Sequence, residues 1–148
     1  MIYYTSNRED EVFEKKVREN LLKNSQGLPI ISVSQKPISL GKNICVGDHG
    51  NSYINEYRQI LTALKEVKTP YAISAEADFL YAPDYFNFKP DGENVYRSDN
   101  VWIVFSDGGY RKKPYSEGAQ ICKVDYMIEF IENYLKDLPE WFDGPPIS

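Results

Sequence analysis

The sequence predicts an α/β fold, with a mostly parallel central sheet flanked by helices and arranged as one Rossmann-like domain over residues 1–148. Short apolar runs at Ile2 to Tyr4, Pro29 to Ser34 and Tyr71 to Ala75 are separated by stretches of helical period, which gives a βαβαβ opening. The acids Glu76 and Asp78 follow the third run, at the edge where such sheets bind ligands. A chain of 148 residues also suits one hydrophobic core better than two.

The elements read in order as follows. Ile2 to Tyr4 is a first strand running into the polar cluster Thr5 to Arg8, and Asp10 to Asn24 carries Val12, Phe13, Val17, Leu21 and Leu22 as a helical stripe that Gly27 stops. Ile30, Ile31 and Val33 make a second, buried strand. Gln35 to Gly50 holds Pro37, Gly41, Gly47 and Gly50 with no sustained period, and is expected to be a long ordered loop. Asn51 or Ser52 caps a second helix whose apolar positions run from Tyr53 through Ile54, Tyr57, Ile60, Leu61 and Leu64 to Val67. After the strand ending at Glu76, Val95 to Tyr96 and Val101 to Phe105 look like strands, with a turn at Asp107-Gly108-Gly109. Ile121, Val124, Ile128, Ile131 and Leu135 are expected on one face of a final helix.

Charge and composition exclude several functions. The net charge of −5 argues against nonspecific nucleic-acid binding, which depends on Lys and Arg neutralising phosphates. The basic run Arg111-Lys112-Lys113, beside Tyr110 and Tyr115, reads as a solvated loop. No apolar run reaches the roughly 18 residues of a membrane span, and the N-terminus lacks the layout of a signal peptide, so the expected location is cytoplasmic. Cys45 and Cys122 have no metal or disulfide spacing, and His49, the single histidine, argues against a histidine metal cluster and a Ser-His-Asp hydrolase.

Glu76 and Asp78 are the leading candidates for chemistry. One residue apart on extended backbone, they would point to the same face, where two hard carboxylates suit Mg²⁺ or Mn²⁺ completed by water and phosphate oxygens. The structural alternative is a solvated strand end. Gly41-Lys42-Asn43 could bring backbone and a cation close to a ligand.

The segments Ile2 to Arg8, Leu40 to Ile44 and Ala75 to Tyr81 together resemble a family 2-type glycosyltransferase of the GT-A fold, over roughly Ile2 to Leu135. The resemblance implies a metal-dependent transfer of sugar from a nucleotide-diphosphate donor, UDP-sugar first among them, to a hydroxyl acceptor. It places Glu76-Ala77-Asp78 on metal and donor, and Tyr4, Thr5, Asn7 and Arg8 around the nucleoside, where the alternative is a capped turn. Lys42, Asn43, Arg58 and Gln59 would join the donor side, although Arg58 and Gln59 also fit an ordinary helix surface. Asn100, Trp102, Gly118 and Gln120 would form the acceptor wall, with a core position the alternative for Trp102.

The acidic pair that this family carries after its last helix would fall on Glu140 and Asp143, as candidate acceptor base. A noncatalytic nucleotide-sugar-binding or partner-binding module, lacking a complete acceptor half, is the second expectation. A nucleotidyltransferase would also use strand-end carboxylates and Mg²⁺, but it usually has a glycine-rich phosphate loop, and Thr5 to Asp10 contains no glycine.

Overall fold

A computed structural model of the protein describes residues 1–144, so residues 145–148 of the expected domain lie outside the described residues. The first strand, β1 (Ile2–Thr5), leads into helix α1 (Glu11–Asn24), whose N-cap Asp10 accepts a hydrogen bond from the Phe13 amide at 2.9 Å. Then come β2 (Ile31–Ser34), β3 (Lys42–Cys45), α2 (Tyr53–Leu64) and β4 (Tyr71–Glu76). Ser52 caps α2 by accepting from the Asn55 amide. The second half supplies β5 (Val95–Arg97), β6 (Val101–Val104), β7 (Tyr110–Lys113), β8 (Gln120–Lys123) and α3 (Val124–Leu135).

Six strands form one sheet in the order β3-β2-β1-β4-β8-β5. β3, β2, β1 and β4 run parallel, whereas β8 lies antiparallel to both β4 and β5. The fold is therefore the mixed, mostly parallel α/β architecture that the alternating pattern predicts. β6 and β7 stand apart as a two-stranded hairpin. Among the described residues no helix is long and apolar enough to cross a membrane, and Cys45 and Cys122 are both free.

Strand alternation sends side chains to both faces of the sheet, and both faces are covered. Ile2 and Tyr4 join Val33, Leu61, Leu64, Ile131 and Leu135 beneath α2 and α3. Tyr3, between them, points into a second cluster with Leu21, Ala75, Tyr81 and Phe86. Leu64 and Ile131 are fully buried, so truncating either to Ala costs about 2–5 kcal/mol.

Four local expectations need correction. Arg111-Lys112-Lys113, expected as a solvated loop, belongs to strand β7, although Arg111 and Lys112 are solvent-exposed. The loop expected from Gln35 to Gly50 contains β3, an edge strand whose Lys-Asn-Ile-Cys sequence has one aliphatic residue and hides its period. Ile121 belongs to the buried strand β8 and not to the final helix; its spacing from Val124 imitates a helical step. On α1 the apolar stripe is rotated, since Val12, Phe13 and Leu22 are exposed while Glu14, Val17 and Leu21 are buried. Glu14 tolerates burial because the Tyr3 hydroxyl donates to it at 3.1 Å and Arg18 pairs with it at 3.3 Å.

Gly41 is the tightest backbone position, with φ +55° and the Ile30 carbonyl where a Cβ would stand. Gly27 has a similar left-handed backbone, φ +74°, with open space around it. We expect Gly27→Ala to cost about 1–2 kcal/mol for its backbone alone, and Gly41→Ala about 1–3 kcal/mol more for the clash. Paired denaturant titrations check this; equal losses at the two sites would refute the close approach.

Candidate functional site

β1 lies between β2 and β4, so the chain builds outward on one side and then returns to the other, leaving a crevice at the carboxyl ends of β1 and β4. A cavity of about 210 Å³ occupies it. Tyr4 and Thr5 from β1, Gln35 after β2, Asn55, Glu56 and Gln59 from α2, and Glu76 and Asp78 after β4 all line it. No Lys or Arg does.

Glu76 is the centre of this crevice. Tyr4 stands opposite it in the β1–β4 register and donates its hydroxyl to Glu76 Oε1 at 2.7 Å. The Tyr81 hydroxyl accepts from the Glu76 amide at 2.9 Å and donates to the Gly118 carbonyl, tying the strand end to the turn at Glu117–Ala119. Gly118 packs so closely that a Cβ there would overlap the Glu76 carboxyl. Burial, opposed by the Tyr4 hydrogen bond and helped by the charges of Glu56 and Asp78, pushes Glu76 up to about 7, with Lys113 pulling slightly the other way. Burial, then the charges of Asp78 and Glu117, also raises Glu56. Burial holds the Tyr4 phenol well above its usual value, so this group is a proton donor throughout the neutral range.

The acidic pair is arranged otherwise than extended backbone would place it. β4 ends at Glu76, and Ala77 and Asp78 form a turn, so Asp78 comes to the exposed rim rather than alongside Glu76 through the pleat. Among the described residues no group of three or more His, Cys, Asp or Glu side chains is placed to hold a metal ion.

Other sequence candidates divide by location. Gln59 is buried in the crevice wall and donates to the Thr5 and Val33 carbonyls, and Thr5 Oγ1 accepts from the Asn7 amide. Asn7, at φ 55°, accepts from the Gln35 and Lys36 amides and joins the first and second loops. Arg8 is turned toward Asp48 at 2.6 Å. Lys42 begins β3 opposite Ile31, at the sheet edge away from the crevice, and pairs with Glu66. Asn43 donates to the Ser32 and Ser34 hydroxyls within the sheet.

The C-terminal candidates also serve the scaffold. Arg58 donates to the carbonyls of Leu135, Leu138 and Pro139, closing the end of α3. Asp143 accepts from the Gly50 amide and lies 3.5 Å from His49 Nδ1, while Glu140 is exposed; neither lines the crevice. His49 stacks on Trp141 at 4.0 Å, and Asn55 bridges Gly50 to Phe142. Gln120 is buried in β8, its amide oxygen accepting from Arg97.

A second cleft of about 1200 Å³ opens beside the first. Phe79, Tyr81, Tyr85 and Phe88 line one part of it, and Asn100, Trp102 and the rest of β6 another. The two cavities share Glu9 and Asp78, which places Asp78 on the threshold between them. Sequence reasoning missed Asn55 and Glu56, which look like ordinary polar helix residues, and Glu9. The available signal was Glu56 standing one helical turn after the Ser52 cap, where α2 starts beside the strand ends.

No family model matches the chain, and no curated protein matches its sequence. A solved structure, the bifunctional IspDF from Campylobacter jejuni, is similar with a TM-score of 0.59 and 11% identity, covering 94% of this chain and 44% of that one. The chain thus spans less than half the length of the structure it matches. That likeness is one of fold alone, and it overturns the resemblance to a family 2 glycosyltransferase and the sugar-transfer function drawn from it. The physical reason is visible in the crevice: the Gly41–Asn43 segment does not reach it, and the acidic triplet is not an extended pair.

Glu76 makes stability depend on pH. A free glutamate ionises near 4.5 and folded Glu76 near 7, so between these values the folded state holds the extra proton and stability falls as pH rises. The loss is at most about 3 kcal/mol, complete above pH 7 and absent below 4.5. Glu76→Gln, which keeps an acceptor for Tyr4, should flatten this slope and melt higher than the parent at pH 8. A parent whose stability is level from pH 4.5 to 7 would show that Glu76 is not held protonated.

Proposed function

We propose that the chain is a nucleotide-dependent transferase of the nucleotidyl type, in which the crevice holds the nucleoside end of a nucleotide and the larger cleft holds the acceptor. The observation that carries this reading is the meeting of a small polar cavity and a large aromatic one at two shared carboxylates, Glu9 and Asp78. A group-transfer enzyme needs two substrates brought together at one reacting centre. The nucleotidyltransferase-like fold supports the same class.

The small cavity lies below the roughly 300–1000 Å³ of pockets that enclose a whole ligand, so at about 210 Å³ it suits one moiety, with the remainder passing Asp78. The side-chain oxygen of Gln59 and the hydroxyls of Thr5 and Ser6, which line the crevice, offer hydrogen-bond partners to a base or ribose. With no basic residue in the crevice and no glycine in the first loop, a phosphate chain needs a counter-charge. Asp78 would hold a Mg²⁺ or Mn²⁺ ion together with phosphate oxygens and water, because this ion can take a single protein carboxylate, which leaves Glu76 outside the ion. When bound, the ion offsets charge on the transferred phosphoryl group and the departing diphosphate. Lys113 and Arg97, which line the larger cleft, supply fixed positive charge beyond Asp78.

In this reaction the acceptor oxygen forms a bond to the α-phosphorus, the bond from that phosphorus to the bridging oxygen breaks, and diphosphate leaves. Ionised Glu76 takes the acceptor's proton, for which a pKa of about 7 is well matched at neutral pH.

Calorimetric titration with ATP, CTP, GTP and UTP, with and without Mg²⁺, tests the reading. At least one nucleotide should bind only with Mg²⁺, and Asp78→Asn should lose about tenfold or more in affinity while keeping its melting temperature. Binding that ignores both Mg²⁺ and the substitution would sink the proposal.

A further inference from the structure

β6 borders the larger cleft with its edge rather than with one face. Every residue from Arg97 to Ser106 lines that cleft, whereas β7 contributes only Lys113. In a strand that showed only a face, alternate residues would line the cavity. β6 is paired with β7 on its other side and, among the described residues, with no further strand.

Hydrogen-bond parity identifies which groups are open. The Phe105 amide donates to the Gly109 carbonyl, so it points across the hairpin toward the β7 side. Amides two residues apart point the same way in an antiparallel ladder, so those of Ile103 and Val101 also turn to β7, while those of Trp102 and Val104 turn outward into the cleft. Phe79, Tyr81, Tyr85 and Phe88 line the same cleft, and Val101 at the start of β6 packs in one cluster with Tyr81.

We infer that this cleft takes an extended polypeptide, which adds a strand to the outer edge of β6 and sets alternate apolar side chains against the aromatic wall. The inference rests on the proposed function in one respect, since it makes the acceptor a polypeptide. Alternating outward amides and carbonyls call for a ligand with the same repeat of donors and acceptors, and extended backbone has it. The aromatic rings lining the cleft give apolar side chains a surface and supply little of the charge that a polyanion would need.

The test is to pan a random decapeptide display library on the immobilised protein and to measure binding and amide exchange with a synthetic copy of an enriched peptide. Enrichment of peptides with alternating apolar residues, micromolar binding, and slower exchange of the Trp102 and Val104 amides on binding are expected. Proline is tolerated on a strand edge where its missing N–H faces outward, so Val104→Pro should keep the parent's melting temperature and lose about tenfold or more in peptide affinity. The same peptide N-methylated at alternate amides should bind the parent equally poorly, a result that does not depend on the variant folding. No enrichment, undiminished affinity for the methylated peptide, or protection of the two amides by concentration-dependent self-association would each overturn the inference. Mg²⁺-nucleotide titration of the same preparation separates the readings: failure there with peptide binding intact removes the nucleotide proposal and leaves this one standing.

Discussion

The hydrogen bond from Tyr4 to Glu76 joins the two strands between which the sheet changes direction, and much of the crevice depends on it. It requires β1 and β4 to stay in register, since a slip of one residue would turn Tyr4 to the face now occupied by Tyr3. It also lets a carboxyl group remain in a poorly solvated place without a cation at contact distance. Gly118 then has to be a glycine because the Glu76 carboxyl fills the space beside it, and Tyr81 holds the turn carrying Gly118 against the strand end. Three residues from separate parts of the chain, Tyr4, Tyr81 and Gly118, are thus fixed around one proton-binding group.

The scaffold serves that group through hydrogen bonds as much as through apolar packing. Gln59 spends its amide hydrogens on the carbonyls of Thr5 and Val33, so α2 is fastened to the ends of β1 and β2 just where the crevice opens. Asn7 does the same for the loops after those strands, with a left-handed backbone that asparagine tolerates better than most residues. Such side chains hold loop backbone that has no ladder partner, and the crevice wall is therefore placed by the sheet and not by loop chance.

The fold was readable in the first half because buried parallel strands are continuous apolar runs and α2 keeps a clean period. β3 escaped because an edge strand needs little apolar content, and β8 because it passes into α3 without a connecting loop. At the site, Glu76 and Asp78 could be found from their position after a strand, but the turn between them could not. Lys42, Asn43 and Arg58 illustrate a different limit, since spacing along a chain does not say which edge of a sheet a residue will reach. Acids after a strand and polar residues after a first strand belong to many Rossmann-like folds, so the likeness to one transferase family carried fold information and misassigned the chemistry.

Arg58 and Asn55, on the helix that walls the crevice, take as partners the backbone of Leu135, Leu138, Pro139 and Phe142. The Arg58 side chain is already short of one partner, its Nε being buried without a hydrogen bond. Until residues near Phe142 arrive, therefore, Arg58 and Asn55 have polar groups to satisfy and only water to satisfy them, and Gly50 lacks a neighbour that closes its side of the cavity. During synthesis the parallel strands of the first half can form early, but the helix that walls the crevice has its polar partners only once the segment around Phe142 has docked. Maturation of the crevice wall is thus coupled to docking of the Phe142 segment rather than to folding of the strands that bear Glu76 alone.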